Sequence, residues 1–382
     1  MANTLTNLIP DAYVALDVVS RELTGFIPAV ARNPSADRVA LNQTLRAAQT
    51  PINSAGGDVT AAMSLPSASD QTIANKTVTI SKSRYFPFSW TGEEQYSMDA
   101  GAGFLTIKQD QIAQAIRAAV NEMENDIASA VYKASSRAYG TAGTTPFASD
   151  LSEVANVRKI LDDNGTPDSD RHMVINTTAG AKMRSLGQLT KANEAGSSDP
   201  MRRGVLLDVH GFMIRESAKV QSHTKGTGTS YQLNGAHSIG ATTLAVDTGS
   251  GTIVAGDVIT IANGTPSDSN KYVVTTALSG GNVVIAAPGL RCAHADNDAV
   301  TVGSDYSGNV AFRRNAVVLA TRLPALPVEG DLALDREVIT DPQTGISLEL
   351  AAYPGYRMIV YQVLVSWGVS VIKPEHVATL LG

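Results

Sequence analysis

Cysteine is nearly absent from this chain of 382 residues: Cys292 is the only one. A single thiol excludes an intrachain disulfide framework and fits folding in a reducing cytoplasm. Aromatic residues make up 5% of the sequence, and small residues take their place, so many β-surfaces must be flat and covered by Ala or Val. An excess of positive charge is also missing: 30 Lys and Arg stand against 36 Asp and Glu, a formal net charge of −6. That argues against a dedicated nucleic-acid binder, which would carry a basic footprint. It is compatible with a protein that surrounds nucleic acid without sticking to it. Long apolar runs are lacking too. The most apolar stretch, Met358 to Ile372, is interrupted by Gln362, Ser366, Gly368 and Ser370 and is too short and too polar to span a bilayer. The opening, MANTLTNLIPDAY, has neither a basic n-region nor an apolar core, so no signal peptide is expected.

Catalytic signatures are missing as well. The sequence has no G-x-x-x-x-G-K, no G-x-S-x-G and no H-E-x-x-H. GTGTSY, Gly226 to Tyr231, lacks the third glycine of a dinucleotide loop and reads as linker. DDNGTPDSD, Asp162 to Asp170, fails the calcium-loop spacing and reads as a helix end and turn. CAHADND is the one metal-like text. Cys292, His294, Asp296 and Asp298 alternate, so a strand would place them on one face. Neighbours on one strand rarely close a tetrahedron, and no second ligand cluster is evident, so a solvated loop is expected. His172, His210, His223, His237 and His376 show no carboxylate and nucleophile partners that sequence can identify. The expectation is a protein that is not an enzyme, with no catalytic residue, cofactor or metal.

The hydrophobic share, 43%, and the charged share, 17%, suit a folded chain with a sizeable core. Val14, Leu16, Val18, Val19 and Leu23 make an apolar helix face that Gly25 and Pro28 stop. Asn33 to about Ser69 lacks a strong period and reads as an extended arm and loop. Asn75 to Trp90 is strand-like, with a face that turns from Val78 and Ile80 to basic Lys82 and Arg84, as if leaving its own core. The strongest signal lies in Leu105 to Ala138. Ile112, Ile116, Val120, Met123, Ile127, Val131 and Ala134 recur every three or four residues, one stripe of a rod roughly 45 Å long. A second helix is expected at about Leu151–Asp163, capped by Ser149 or Asp150. A buried strand follows at His172–Asn176, and a β-hairpin turns at His210-Gly211.

From about Ser222 to Gly303 the text changes to Gly, Ser, Thr, Val and Ala. Five or six short strands are expected there: Tyr231–Leu233, Thr242–Asp247, Asp257–Ala262, Lys271–Leu278, Asn282–Ala287 and Ala299–Val302. Ser279–Gly281 supplies a hairpin loop. Short strands with Gly turns predict a small antiparallel barrel inserted in a host domain. Asn33 to Trp90 is too long for a linker and too polar to close a core, which fits an arm pairing with a neighbouring subunit.

Several stretches, in this order, resemble the major capsid protein of tailed bacteriophages, of the short-tailed-phage coat type with an inserted β-barrel. VALDVVSRELTGFIPAVA is similar to that family's N-arm helix and QIAQAIRAAVNEMENDIASAVYKAS to its spine helix. VHGFMIRESAKV resembles the strand pair before the insertion. NVAFRRNAVVLATRLP and VLVSWGVSVIKPEHVATLLG, with Trp367-Gly368-Val369 and Lys373-Pro374-Glu375, resemble its closing text. The resemblance implies an α+β capsid fold with an N-arm (1–32), an extended loop and peripheral strands (33–104) and a spine helix (105–150). Axial residues (151–221), the inserted barrel (222–303) and an axial and peripheral return (304–382) complete it. It implies self-assembly into an icosahedral shell of pentamers and hexamers around double-stranded DNA, bound without sequence specificity. A separate scaffolding protein and a portal would be partners, assembly would occur in the host bacterial cytoplasm, and no membrane is involved. Candidate scaffold or intersubunit contacts are Asp11, Asp17, Glu22, Lys82 and Arg84. Some relatives cross-link a loop lysine to an asparagine; nothing marks Lys76 or Lys82 as activated. Two alternatives remain at this point. An encapsulin-like compartment should lack the insertion, and a glycan-binding module would want aromatic platforms, for which the insertion offers only Tyr231 and Tyr272.

Overall fold

The apolar stripe forms a single helix of 30 residues, Phe104–Lys133, in the computed structural model. Ile112, Ile116, Val120, Met123, Ile127 and Val131 are all at most 1% exposed, as a one-sided stripe on a core-facing helix requires. The structure describes residues 23–49, 74–99, 104–191, 208–341 and 344–382. The helix stops at Lys133, four residues before Arg137, which lies instead in a short strand, β5 (Arg137–Tyr139). The Ser135 and Ser136 hydroxyls both donate to the Val377 carbonyl, and this pulls the chain out of the helix into a sheet.

The spine helix packs on a six-stranded sheet. β1 (Ala31–Val39), β16 (Val317–Pro324), β19 (Met358–Val371), β18 (Ser347–Gly355) and β17 (Asp335–Thr340) follow in that order. β4 (Lys82–Thr91) lies on the other side of β19. β19 is one strand of 14 residues, not a strand pair. Its first half is flanked by β4 and β18, and its second half pairs with β16. Tyr361, Val363, Val365 and Trp367 of β19 join the spine stripe in the largest core.

The stretch expected as one strand from Asn75 to Trp90 is two. β2 (Thr44–Gln49) and β3 (Ala74–Thr79) form an antiparallel ribbon of their own, and β4 belongs to the main sheet. The break falls where bonding partners change. The Ile80 N–H donates to Gln43 O at 3.0 Å, and the Ser81 N–H donates to Trp367 O at 3.1 Å. A small core of Val39, Val78, Ile80 and Ala320 holds this root, with Leu45 and Val318 packed against it.

A second layer of strands runs β7 (Phe212–Glu216), β6 (Arg171–Ile175), β15 (Tyr306–Arg313), β20 (Val377–Leu381) and β5. The helix Ser152–Asp163 buries Val154, Val157, Ile160 and Leu161 against it. The N-cap position is Leu151, with no side-chain cap, and not Ser149 or Asp150; Asp150, one residue earlier, accepts the Ser152 N–H at 2.9 Å. Around His210-Gly211 the described residues form a tight turn, with Val209 bridging Phe212. The outgoing strand, β7, pairs in parallel with β6; the incoming side expected from Val205 lies largely outside the described residues.

The inserted module closes on itself. β9 (Tyr231–Leu233), β10 (Thr243–Asp247), β13 (Asn282–Ile285), β12 (Lys271–Ser279), β11 (Val258–Ile261) and β14 (Ala299–Val302) form a ring of six antiparallel pairings. Leu233, Leu244, Ile261, Tyr272, Val274, Val283 and Ile285 fill it. Ser279 opposes Asn282 across Gly280 and Gly281, both at positive φ (57° and 78°), the two-residue turn that suits the twist of a hairpin. The ends meet: in β8 (Ser222–His223), His223 pairs with Tyr306.

Candidate functional site

Three features of the geometry concern contacts rather than catalysis. The first is the basic end of β4. Lys82 Nζ lies 3.0 Å from Glu122 and 2.8 Å from Asp126 of the spine helix, and Arg84 Nε lies 3.1 Å from Glu122. Lys82 also sits over the Trp367 ring at 5.8 Å, while the Trp367 indole donates to Asp126 at 2.9 Å. The face that turns basic therefore turns toward its own spine helix and not away from its body. Burial opposes the Lys82 charge, but the two carboxylates outweigh it and hold the amine above its ordinary value. Burial likewise opposes Glu122, and Lys82 and Arg84 bring it below the usual carboxylate range. Asp11, Asp17 and Glu22 lie outside the described residues.

The second feature is the β2–β3 ribbon. Among the described residues it pairs only with itself, and Arg46, Lys76 and Thr77 on it are exposed. An isolated two-stranded ribbon is marginal in water.

The third is the seam between barrel and host. β12 pairs with β5 through Lys271 and Tyr272, and the Arg137 guanidinium donates to Asn270, Asn164 and the Ile160 carbonyl. His223 meets Asp257 at 2.8 Å, and Asp257 also accepts N–H groups from Gly226 and Val254. Tyr306 donates to the Gly256 carbonyl at 2.6 Å. Burial pushes the Tyr306 and Tyr132 hydroxyls up, so both remain protonated donors near neutrality. One ring nitrogen of His223 meets its carboxylate, and the other faces the Tyr132 hydroxyl at 3.4 Å. The sequence signal for this pairing was weak, because His223 and Asp257 are 34 residues apart.

CAHADND is not a solvated loop. Cys292, His294 and Asp298 are buried, and only Asp296 is exposed among the four. The His294 ring lies between Asp268 and Asp298, with each ring nitrogen 3.2 Å from a carboxylate. Burial works against the Asp268 charge, but donors from Asn270, Tyr272 and His294 hold its carboxyl below the usual range. Burial pushes the Cys292 thiol up. The Asp268 partner lies outside the motif, so alternation within the motif could not reveal it. Among the described residues no group of three or more His, Cys, Asp or Glu side chains could hold a metal ion. No described helix is long and apolar enough to cross a membrane.

No family model matches the chain, and no curated protein matches it in sequence. Solved structures do match. The capsid structure of the cyanophage P-SCSP1u is 12% identical, with 94% of this chain and 88% of that chain covered, at a TM-score of 0.52. A structure from Mycobacterium phage Che8 is 14% identical over 94% of this chain and 90% of its own, with a TM-score of 0.48. The crystal structure of a virus-like particle from Pyrococcus furiosus is 7% identical over 97% and 96%, at 0.42. At such identities the likeness is one of fold, and the cyanophage capsid carries it. The chain has a phage capsid-like fold of mixed α and β structure.

Proposed function

We propose that this chain is a major capsid protein that assembles with copies of itself into a closed icosahedral shell around double-stranded DNA. One observation carries the reading: the likeness to a cyanophage capsid structure covers 94% of the chain. The self-paired ribbon supports it, because six residues per strand gain stability most readily when a neighbouring copy covers them. The net charge of −6 suits a wall that holds DNA without gripping its sequence. On this reading the layout is an N-arm, an extended loop, peripheral and axial parts and the inserted barrel, with a separate scaffolding protein and a portal as partners. The shell would form in the host bacterial cytoplasm and end in the virion. The closed barrel weighs against an encapsulin-like compartment.

Asp11, Asp17 and Glu22 are proposed to face a basic scaffold segment. Exposed ion pairs are worth about 0–1 kcal/mol each, so this term matters through repetition over many subunits and should weaken with salt. The deciding experiment is electron microscopy of the purified chain, alone and with any scaffold encoded by a neighbouring gene. Closed polyhedral shells are the expected result. Only monomers at high concentration with scaffold present would overturn the reading.

A further inference from the structure

Glu124, in the middle of the spine helix, points its carboxylate into the core with no exposed surface. Among the described residues no Lys, Arg or His pairs with it. It is held instead by neutral donors. The backbone N–H groups of Gly25 and Phe26 donate to Oε1 at 2.6 and 2.7 Å, and that of Ile27 donates to Oε2 at 2.9 Å. The Ser217 hydroxyl adds a fourth bond at 2.8 Å, just past the end of β7. Three chain segments therefore converge on one side chain, about a hundred residues apart in sequence on either side.

What the carboxylate holds is a short strap. Phe26, Ile27, Ala29 and Val30 are each at most 1% exposed, and the Ala29 and Val30 N–H groups turn back onto Phe26 O. The fit is close at Gly25, where an added Cβ would stand 2.6 Å from Glu216 O and 2.9 Å from a Val174 methyl. Removing the carboxylate would leave three buried N–H groups without this acceptor, and among the described residues no other side chain bonds them. A buried carboxyl without a cation is a costly arrangement: burial pushes Glu124 above the usual carboxylate range, and the four donors act against that push. Among the described residues the side-chain hydrogen bonds to the strap are thus concentrated on one group, beside the apolar packing of Phe26, Ile27, Ala29 and Val30.

We propose that Glu124 is a latch: it closes the strap of residues 23–30 over the core and lets the strap open as a unit before the spine helix does. The latch is a property of the single subunit and stands or falls apart from the shell reading.

Native-state hydrogen exchange on the full chain tests it. In Glu124→Ala, the amides of residues 25–27 should exchange about ten- to a hundred-fold faster, the range expected for losing buried acceptors. Barrel and spine amides should stay within about two-fold of wild type. Glu124→Gln, which keeps one oxygen and the side-chain length, should fall between. Unchanged strap protection would refute the latch, and so would equal acceleration of strap, spine and barrel. If neither variant folds, wild type decides. In rising denaturant the strap amides should exchange through an opening of lower free energy than the amides of residues 116–127. A single shared opening from zero denaturant upward would overturn the proposal.

Discussion

Gly368 offers a sharp test of how the ribbon root is built. It lies in β19 opposite Ala320 of β16, where the turn from β3 to β4 crosses the strand. A Cβ placed there would stand 2.0 Å from Thr79 O, 2.8 Å from the Thr79 carbonyl carbon and 3.0 Å from Ile80 Cα. Ordinary carbon contacts begin at about 3.5 Å, so the backbone of Thr79 and Ile80 must retreat by more than about 1 Å. All three atoms are main chain, so no rotamer change relieves the overlap. Overpacking of this kind typically costs about 1–3 kcal/mol. The retreat also stretches the Ser81 N–H to Trp367 O bond, worth about 0.5–1.5 kcal/mol. Gly368→Ala should therefore destabilise the chain by about 2–4 kcal/mol. At roughly 2 cal/mol/K per residue, a chain of this length has an unfolding entropy near 0.8 kcal/mol/K, which makes the expected drop in Tm about 3–5 °C. Hydrogen exchange should locate the damage at residues 78–81. Gly92→Ala is the control, because a Cβ there meets nothing within 4 Å; it should melt within about 1 °C of wild type. If Gly368→Ala melts like the control and residues 78–81 keep their protection, the packing argument is wrong.

Ile116→Ala or Ile127→Ala should each cost about 2–5 kcal/mol in denaturant unfolding, since both side chains are fully buried in the spine stripe. Lys82→Met should cost no more than about 1 kcal/mol, because Lys82 is 36% exposed and water screens its ion pairs. The sign follows from the shifts. The Glu122 contribution is present above its ordinary value of 4.5 and lost as pH falls through its lower folded value. The Lys82 contribution is present below 10.5 and lost as pH rises through its higher folded value. Stability measured between about pH 5 and 10 should thus differ between variant and wild type and converge outside that window; a constant offset would show that the Trp367 contact, not charge, matters. Residues 222–307 expressed alone should give β-type circular dichroism and a cooperative but modest melt, since the ring closes and its ends pair; a disordered spectrum would make the module a loop dependent on β5. Asp17→Asn with Glu22→Gln should lower scaffold incorporation at low salt without changing the melting of the subunit, and unchanged incorporation would place scaffold recognition elsewhere.

The local elements were legible because each rests on a pattern confined to neighbouring residues. The spine stripe has a period that only a helix can bury on one side. The barrel strands matched within one or two residues, since Gly280-Gly281 and similar turns punctuate short alternating runs. Sequence alone could not say what lies opposite what. The alternation of Val78, Ile80, Lys82 and Arg84 reads as one strand, yet Ile80 bonds the ribbon while Ser81 bonds β19. The basic residues meet Glu122 and Asp126 some 40 positions away. Glu124 looks like one more charge on a helix rich in them, and only the return of Gly25–Ile27 from 97 to 99 residues away turns it into a buried acceptor. His294 finds Asp268 across a barrel loop for the same reason. Periodicity is set by the geometry of one segment and is written in that segment. Partnership is set by which distant segments share a core, and the free energy that chooses among them is a property of the whole packed chain.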